Sequence, residues 1–476
     1  MPIFTPGRRW QPPYSPFKKV SFAQKVMAGF EKIVKGPLFG CRMCGNCLLQ
    51  ETAFICPMEC SKGIRNGPCG GSTAEHCYVD PARPCIWYHI YDRAFRMGRE
   101  EKLLEVLPPL DWNKTGTETW GDVFREVKRY GTGKWFAALL SRDPRNRAVA
   151  WDDVFRAVRQ PSWWQGDAAY HPAAYHEPLS NLETQLKAGK FVVTCEITPP
   201  LTTATGKFLR NLALIKGKVA AVNFTDNPSA NPRMSSQACS KLALDEGLEP
   251  VMQIAARDQT RNSLQSLVLG AHALGIRNLL CVSGDSASLG PDPRARMDIV
   301  DIDAIQMLWI LRRMRDDGVY LGDKPIKFPP QYFLGAAASP NTSEVKFQAL
   351  REEKKINAGA QFLQTNLVFD LDRFDAWLEA LDKRNVLGKA FILVGIAPMK
   401  SAAVARYLHE EVPGVTLPIS TLNRMDNAKD AAEEGVQIAL ETIAHIRQRP
   451  GIHGIHLMPL NWEDVLPRIL QEADLS

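Results

Sequence analysis

Eight of the chain's eleven cysteines fall within one short stretch. The stretch opens with a C-x2-C-x2-C run, continues through Cys56-Pro57, and includes a cysteine flanked by glycines at 67–71. Thiolates two residues apart on a tight turn can be directed at one metal or cluster, and glycines let the backbone close around it. The candidate ligands are Cys41, Cys44, Cys47, Cys56, Cys60, Cys69, Cys77 and Cys85.

Three kinds of chemistry compete for these thiols. Disulfides are disfavoured because no signal peptide precedes the cysteines, and cytosolic thiols stay reduced. Structural zinc fits the C-x2-C pairs and a small segment that is poor in apolar core. A [4Fe-4S] cluster is favoured, since C-x2-C-x2-C followed by Cys-Pro is the bacterial ferredoxin type of spacing. The longer gap between Cys47 and Cys56 departs from that spacing and keeps zinc open as the alternative.

A second set of reactive side chains lies in the C-terminal part of the chain, at the ends of short apolar runs. Glu196 places a carboxylate inside such a run. Since burying an unpaired carboxylate is costly, this position favours function over a structural salt bridge. Asp285, in Ser283-Gly-Asp, is a second candidate, although Gly-Asp also forms ordinary turns. Weaker polar signals come from other run ends: Asn223, Thr225, Gln253, Gln364 and Asn366.

The elements that must position these groups are eight apolar, β-branched runs separated by helical patterns. Continuous apolar strands alternating with amphipathic helices indicate a parallel sheet whose outer face is covered. Eight such units predict a (β/α)8 TIM barrel, in which chemistry lies at the C-terminal ends of the strands. A doubly wound open sheet is the alternative, but the G-x-G-x-x-G fingerprint is missing. The predicted strands are 191–197, 219–224, 249–254, 277–282, 331–336, 361–369, 391–396 and 452–457.

Length and composition describe an ordinary soluble globular chain. The 476 residues suggest roughly two to four domains, and the composition is 45% hydrophobic and 23% charged. No apolar run approaches the roughly 18 residues of a membrane span. The formal charge of +6 is weak for this size, and Lys and Arg are scattered, so nucleic-acid binding is not predicted. A cytoplasmic location follows by default, and a homo-oligomer is compatible with the sequence.

Four parts are predicted along the chain. Residues 1–36 form a basic N-terminal arm, which is either a solvated segment or a docking surface for an acidic electron carrier. Residues 37–95 form the small cysteine-rich metal or iron-sulfur domain. Residues 96–185 form a helical connector rich in tryptophan. Residues 186–476 form the barrel.

Both the barrel and the cysteine stretch carry specific motifs. The barrel part reads FVVTCEITPP at 191–200, QIAARD at 253–258, LGIRNLLCVSGD at 274–285 and INAGAQFLQT at 356–365. These motifs resemble the methylenetetrahydrofolate reductase barrel. The cysteine stretch, with ICP at 55–57 and NGPCGG at 66–71, resembles the cysteine-rich partner of that reductase in acetogenic and related bacteria. Here the two are fused in one chain.

The resemblance implies a flavin-dependent reductase that converts 5,10-methylenetetrahydrofolate to 5-methyltetrahydrofolate, or catalyses the reverse. In that family the strand 1 glutamate is the general acid that protonates N10 and opens the ring, a role that falls to Glu196. Reduced flavin then delivers hydride to the exocyclic carbon. The family's strand 4 aspartate lies near both the pterin and the flavin, and it corresponds to Asp285.

The resemblance also implies the remaining contacts. FAD or FMN contacts fall to Thr225, Gln253, Gly284, Asp285, Lys354 and Lys355, and folate contacts fall to Gln364, Asn366 and Asn423. Gln253 stands where better-known members have histidine, and Ser283 where they have arginine. These departures fit a flavin that is reduced through the cysteine domain by ferredoxin or a partner subunit.

Two other functions compete with this reductase. One is a folate-linked methyltransferase in which cysteine-bound zinc activates a thiol and no flavin is present. The other is a non-catalytic subunit whose barrel supports a larger one-carbon complex.

Overall fold

The protein is described by a computed structural model, which covers residues 21–143, 154, 167–292, 294, 300–341 and 344–475. The first twenty residues of the predicted basic arm lie outside the described residues. No helix among the described residues has the length and apolar character needed to cross a membrane.

The C-terminal part forms a closed barrel of eight parallel strands that pair in chain order, so the predicted TIM barrel is confirmed. Every strand lies within a few residues of its predicted run, and the strands are almost entirely buried. A strand covered on both faces must be apolar throughout, which is why the continuous runs predicted them well. The strands are β1 Val192–Glu196, β2 Ala221–Phe224, β3 Pro250–Ala255, β4 Asn278–Val282, β5 Phe333–Ala338, β6 Phe362–Leu367, β7 Phe391–Ile396 and β8 Gly454–Leu457.

Helices cover the outside of the barrel, and four more lie in the N-terminal part, on either side of a cysteine-rich stretch that consists mainly of turns. Many begin at a Ser, Thr or Asp side chain that accepts a helix N–H, as Thr260 and Asp303 do. The N-terminal helices are α1 Phe22–Phe39, α2 Ile86–Arg96, α3 Trp120–Tyr130 and α4 Thr132–Leu139. Those of the barrel are α5 Asn181–Lys187, α6 Gly206–Ile215, α7 Ser236–Asp245, α8 Arg261–Ala273, α9 Ala304–Asp316, α10 Val345–Ala358, α11 Leu371–Lys383, α12 Ala402–Glu410, α13 Ile419–Asn427, α14 Ala431–Arg447 and α15 Leu466–Glu472.

The N-terminal end of the barrel is filled by apolar side chains. Phe333 and Phe362 stack there with ring centroids 4.8 Å apart. Leu182 and Leu186 of α5 pack against the same cluster. Gly335 is needed beside them, because a Cβ at this position would lie 2.2 Å from the Phe362 ring. The floor of the barrel is therefore closed, and space for a ligand remains at the opposite end.

The cysteine-rich unit docks on the barrel through α2 and α10. Phe347 of α10 sits among Tyr88, Tyr91 and Phe95 of α2, with ring centroids between 5.2 and 5.8 Å. Burial of aromatic side chains in this geometry stabilises the contact through both area and ring electrostatics. The interface therefore has a buried apolar cluster of its own, to which both α2 and α10 contribute.

Asp303 adds a polar anchor between the two parts. One of its carboxylate oxygens caps α9 by accepting backbone N–H groups. The other accepts the Arg65 backbone N–H at 3.0 Å and the Asn66 side chain at 2.9 Å. Asn66 opens the NGPCGG motif, so this bond fixes the position of the motif relative to the barrel.

Candidate active site and cysteine centres

A cavity of about 310 Å³ lies at the C-terminal mouth of the barrel. Strand ends form its walls, and the cysteine-rich unit lies across its opening. Seven predicted site residues of the barrel line the cavity: Glu196, Thr225, Gln253, Gly284, Asp285, Gln364 and Asn366. The cysteine-rich unit contributes Lys62, Cys69, Gly70, Gly71 and Tyr78.

Glu196 ends β1 and turns its carboxylate into the cavity. Its Oε2 accepts a hydrogen bond from Gln253 Nε2 at 3.4 Å and lies 3.9 Å from Nε2 of His456. The glutamate side chain keeps 20% of its surface exposed, whereas that of His456 keeps 3%. The carboxylate is thus open to a ligand on one side and backed by a buried imidazole on the other.

A layer of polar side chains crosses the barrel below Glu196. Nδ1 of His456 lies 2.9 Å from the Thr194 hydroxyl, which also accepts from Gln364 Nε2 at 3.2 Å. Gln364 and Asn223 exchange two hydrogen bonds, of 2.6 and 3.3 Å. All four residues beneath the glutamate are buried. Buried polar groups are stable only when they are paired, and this network meets that condition.

Asp285 lies on the other side of the mouth, after β4. Its Oδ2 accepts the Ser229 backbone N–H at 2.7 Å, and its Oδ1 accepts the Tyr78 phenol at 3.3 Å. Burial and the nearby Asp285 carboxylate raise the pKa of Tyr78, so the phenol keeps its proton and acts as the donor. The preceding Gly284 has a φ of +75°, a backbone conformation that favours glycine.

Arg257 ties three loops of the mouth together. Its guanidinium donates to the backbone oxygens of Asn227 after β2 and Asp285 after β4, at 3.0 and 3.1 Å. It also pairs with Asp258 beside it, at 2.6 Å. Burial by itself would raise the pKa of Asp258, but the hydrogen bond and charge of Arg257 outweigh it and lower that pKa. The loops are therefore held in register before any ligand binds.

The NGPCGG motif lies close against the mouth because its residues are small. The Ser339 hydroxyl donates to Gly70 O at 3.5 Å, and a Cβ on Gly414 would lie only 2.7 Å from that same oxygen. A Cβ on Gly71 would lie 2.8 Å from Pro413. Lys62 reinforces the contact, since its Nζ donates to Gly284 O at 2.6 Å.

The predicted flavin residues Lys354 and Lys355 do not line the cavity. Both are buried in α10, and Lys355 Nζ donates to Ala337 O at 2.5 Å and to Glu352 at 2.6 Å. Burial lowers the pKa of Lys354 to about 7 and that of Lys355 to about 8. Arg351, one turn earlier on the helix, is the cation of α10 that reaches the cavity.

Two of the three predicted folate residues line the cavity, and the third does not. Gln364 and Asn366 line the cavity, and Asn366 Nδ2 donates to Gly414 O at 3.3 Å. Asn423 is exposed on α13, where its backbone oxygen accepts from the Asn427 side chain. The register of α13 directs Asn423 outward, so the structure does not bring it to the other site residues.

The eight clustered cysteines separate into two sets of four. The first set surrounds one small cavity, and the second surrounds another. None of the chain's eleven cysteines, all of which are described, forms a disulfide. No three His, Cys, Asp or Glu side chains among the described residues are arranged to hold a single metal ion. The first set is Cys41, Cys44, Cys47 and Cys56, and the second is Cys60, Cys69, Cys77 and Cys85.

Burial shapes the chemistry of these thiols. It raises the pKa of Cys41 to about 11 and that of Cys85 to about 12. Thiolates at such positions need a positive partner to offset the loss of hydration. One such partner is present beside the first set, where Lys35 Nζ lies 3.7 Å from Cys47 Sγ. Lys35 lies within the predicted basic arm at 1–36, but it is buried and paired with Glu31.

Comparison with known proteins agrees with this architecture. A family described as "Methylenetetrahydrofolate reductase" matches residues 181–474, which is more than half of the chain. The chain belongs to the methylenetetrahydrofolate reductase family. A second family, described as "Methylene-tetrahydrofolate reductase C terminal", matches residues 20–113. The protein is therefore an enzyme of the methylenetetrahydrofolate reductase type, an oxidoreductase, as the motifs predicted.

Individual proteins are similar to about three fifths of this chain. The 5,10-methylenetetrahydrofolate reductase of Buchnera aphidicola subsp. Baizongia pistaciae (strain Bp) is 21% identical over 299 residues, covering 61% of this chain and 94% of the relative. The same enzyme of Buchnera aphidicola subsp. Acyrthosiphon pisum (strain APS) is 20% identical over 299 residues, covering 61% of this chain and 94% of the relative. Among solved structures, an uncharacterized protein from Clostridium thermocellum that binds two copies of 5-methyl-5,6,7,8-tetrahydrofolic acid is 16% identical, covers 62% of this chain and 99% of that protein, and has a TM-score of 0.45.

Several residues at the reductase mouth were not predicted from the sequence, among them His456, Lys62 and Tyr78. His456 could have been found, because a histidine inside the apolar β8 run carries the same signal as Glu196 in β1. Lys62 and Tyr78 lie far from the barrel in sequence and reach it only through the docking of the cysteine-rich unit. Nothing local in the sequence marks them.

Proposed function

We propose that the protein interconverts 5,10-methylenetetrahydrofolate and 5-methyltetrahydrofolate at the barrel mouth, using a flavin that exchanges electrons through the cysteine-rich unit. The observation that carries the proposal is that Cys69, a member of the second cysteine set, lines the same cavity as Glu196 and Asp285. A candidate redox ligand and two candidate catalytic carboxylates thus border one space. A barrel whose only task was support would not require that arrangement.

The cavity suits a flavin. The Oγ1 of Thr225 is buried and has no hydrogen-bond partner among the described residues. A buried hydroxyl without a partner is costly, and a polar ligand in the cavity would satisfy it. When bound, FAD or FMN supplies the hydride chemistry of the reaction. Thr225, Gln253, Gly284 and Asp285 would hold the isoalloxazine, while flavin contacts by Lys354 and Lys355 stay a prediction.

Glu196 is the proposed general acid. Its carboxyl faces the cavity, where it can give a proton to N10 of the folate. Nδ1 of the His456 ring contacts the Thr194 hydroxyl, and Nε2 of the same ring faces Glu196. His456 would then orient the carboxyl and shield it from the barrel interior. Asp285, Gln364 and Asn366 would position the pterin across the mouth.

The cysteine sets fit iron-sulfur clusters. Each set supplies the four thiolates that a [4Fe-4S] cluster requires. A cluster core is larger than one ion, so its ligand sulfurs stand farther apart than the four around zinc, which lie about 2.3 Å from the metal. The lack of a single-ion arrangement among the described cysteines is compatible with that wider spacing. Zinc stays the alternative.

The two cysteine sets differ in their distance from the barrel mouth, where the proposed reaction takes place. Cys69 places the second set at the mouth, whereas the first set lies beside α1 and its buried Lys35. A carrier such as ferredoxin or a reductase subunit would therefore approach from the side of the first set. The exposed Lys25 and Lys32 of α1 suit an acidic surface on such a carrier.

Anaerobic purification followed by iron, zinc and flavin analysis tests the proposal. We expect about eight iron atoms per chain, from two four-iron clusters, one flavin, and oxidation of 5-methyltetrahydrofolate with an artificial electron acceptor. Protein that contains zinc but neither iron nor flavin would instead support the folate-linked methyltransferase.

A Glu196→Gln variant separates the enzyme from a non-catalytic subunit. Gln keeps the size and the hydrogen bond to Gln253 but cannot donate a proton as an acid. We expect the variant to retain flavin and to bind 5-methyltetrahydrofolate, while turnover falls by at least about a hundredfold. Wild-type activity in this variant would remove Glu196 from the mechanism.

A further inference from the structure

We propose that Tyr78, a residue of the cysteine-rich unit, is a positioning residue for folate in the barrel, because its phenol holds the Asp285 carboxylate in its binding orientation. This inference rests on the proposed function and extends it. It means that the barrel does not form the folate site alone. A side chain next to Cys77 of the second cysteine set completes that site.

The carboxylate of Asp285 is held from two sides. The barrel holds Oδ2 through the Ser229 backbone N–H at 2.7 Å, and the cysteine-rich unit holds Oδ1 through the phenol at 3.3 Å. A carboxylate with one fixed oxygen can still rotate its second oxygen away from a ligand. Two donors on different oxygens remove that freedom, and a fixed polar group binds a ligand at a lower entropy cost.

Tyr78 is itself held in place by the unit that carries it. Its backbone N–H donates to the Ser72 hydroxyl at 3.1 Å. Its ring packs against Gly71, where a Cβ would lie 3.2 Å from the ring, and Lys62 Nζ lies 5.1 Å from the ring centroid. The same lysine donates to Gly284 O. The phenol is thus fixed by contacts on both sides of the interface.

The surroundings of Asp285 do not offer a substitute for the phenol. Arg257 is a neighbouring cation, but its guanidinium donates to the backbone oxygen of Asp285 and to Asp258. Lys62 is likewise committed to the backbone oxygen of Gly284. Among the described residues, Tyr78 is the one side chain that donates to the Asp285 carboxylate. Removing the hydroxyl should therefore release Oδ1.

A double-mutant cycle on the iron- and flavin-loaded protein tests this role. The affinity for 5-methyltetrahydrofolate is measured anaerobically for wild type, Tyr78→Phe, Asp285→Asn and the double variant. We expect Tyr78→Phe to weaken binding roughly tenfold, since the lost hydrogen bond involves a charged group. In the Asp285→Asn background, Tyr78→Phe should reduce the affinity for 5-methyltetrahydrofolate only slightly, because the phenol acts through that carboxylate.

Tyr175→Phe is the matched control. The Tyr175 phenol also contacts a carboxylate, that of Glu183 at 3.0 Å, but it lies at the closed end of the barrel. Its removal should leave folate affinity unchanged.

The outcomes distinguish failure of the proposed role of Tyr78 from failure of the proposed function. Equal losses from Tyr78→Phe in both backgrounds, or wild-type affinity in Tyr78→Phe, would each overturn the role of Tyr78. Failure of the wild-type protein to bind 5-methyltetrahydrofolate would overturn the proposed function itself, and this inference with it.

Discussion

Nε2 of His456 lies 3.9 Å from Oε2 of Glu196, and the other nitrogen of the same ring contacts the Thr194 hydroxyl at 2.9 Å. The imidazole therefore joins the proposed acid to the polar layer inside the barrel. We predict that His456→Asn, which can keep the contact with Thr194 but loses Nε2, lowers turnover roughly tenfold or more. Folate affinity and flavin content should change little. Single-turnover reduction of 5,10-methylenetetrahydrofolate measures the effect.

His453→Asn is the control for this prediction. Nδ1 of His453 accepts the Ile392 backbone N–H at 3.2 Å, near the start of β7 and far from the mouth. The same substitution there should leave turnover unchanged. If His456→Asn turned over as fast as the wild type, the contact with Glu196 would have no part in the reaction.

The barrel could be predicted because each strand is marked by a pattern within its own short stretch of sequence. Each strand is buried on both faces, so each appears in the sequence as a continuous apolar run. Glu196 and Gln253 stood out as polar groups within or at the end of such runs, and the barrel rule placed them together. His456 obeys the same rule within β8.

The remaining site depends on contacts that no local pattern encodes. Lys354 and Lys355 are predicted flavin contacts, and the sequence gives no sign of their burial. In the structure α10 is covered by α2, with Phe347 packed among its aromatic rings, and both lysines are buried. Tyr78 reaches Asp285 across 207 residues of sequence. Such placements follow from how two folded parts dock.

The cysteine sets predict separable losses of metal. Cys44→Ala removes a ligand of the first set, and Cys60→Ala removes one of the second. We expect each variant to lose about half of the bound iron, because each retains one complete set of four thiolates. Iron analysis and electron paramagnetic resonance of the reduced protein provide the measurement. Cys239→Ala, in the barrel core, should keep all of the iron.

The two cysteine sets should also differ in how their loss affects electron transfer to the flavin. Loss of the second set should abolish reduction of the flavin by an external donor, since that set borders the mouth through Cys69. Turnover that uses chemically reduced flavin should survive. Complete loss of iron from either single variant would show that the eight cysteines act as one site.

A buried ion pair should stabilise the region around the first cysteine set. Glu31 is 1% exposed, and its Oε1 accepts from Lys35 while its Oε2 accepts the Thr119 backbone N–H at 2.7 Å. Burial alone would raise the pKa of Glu31, but Lys35 and Thr119 outweigh it and lower that pKa. Lys35→Met leaves the carboxylate buried without its cation, and we expect a loss of about 3 kcal/mol in the free energy of unfolding.

The loss of unfolding free energy in Lys35→Met should become smaller as the pH falls. A carboxyl group whose pKa is lowered by folding stabilises the protein above its ordinary pKa of 4.5, and this stabilisation disappears as the pH falls through the folded-state pKa. The difference between wild type and Lys35→Met should therefore shrink in acid. Lys241→Met, which breaks an exposed i,i+4 pair with Asp245, should cost at most about 0.5 kcal/mol. Equal effects of the two substitutions would contradict the prediction.

Lys354 should destabilise the protein at neutral and lower pH. Burial lowers its pKa from 10.5 to about 7, against the attraction of Asp303 and Glu105. Below pH 7 the ammonium is charged in both states, and the full cost of burying it is present. Between pH 7 and 10.5 the unfolded chain holds a proton that the folded chain does not, so stability rises with pH. We predict that Lys354→Met stabilises the fold by a few kcal/mol below pH 7, at about 1.4 kcal/mol per pKa unit.

That gain should fade as the pH approaches 10.5, where lysine is neutral in either state. Denaturant unfolding at several pH values measures it, with Lys383→Met, at an exposed pair with Glu379, as the control that should show no such trend. The flavin content of the variant tests the predicted cofactor contact, since Lys354 does not line the mouth cavity. A folded variant that lost flavin would support that contact, and the charge of a bound phosphate would then explain why a lysine is buried there, whereas full flavin content would contradict it.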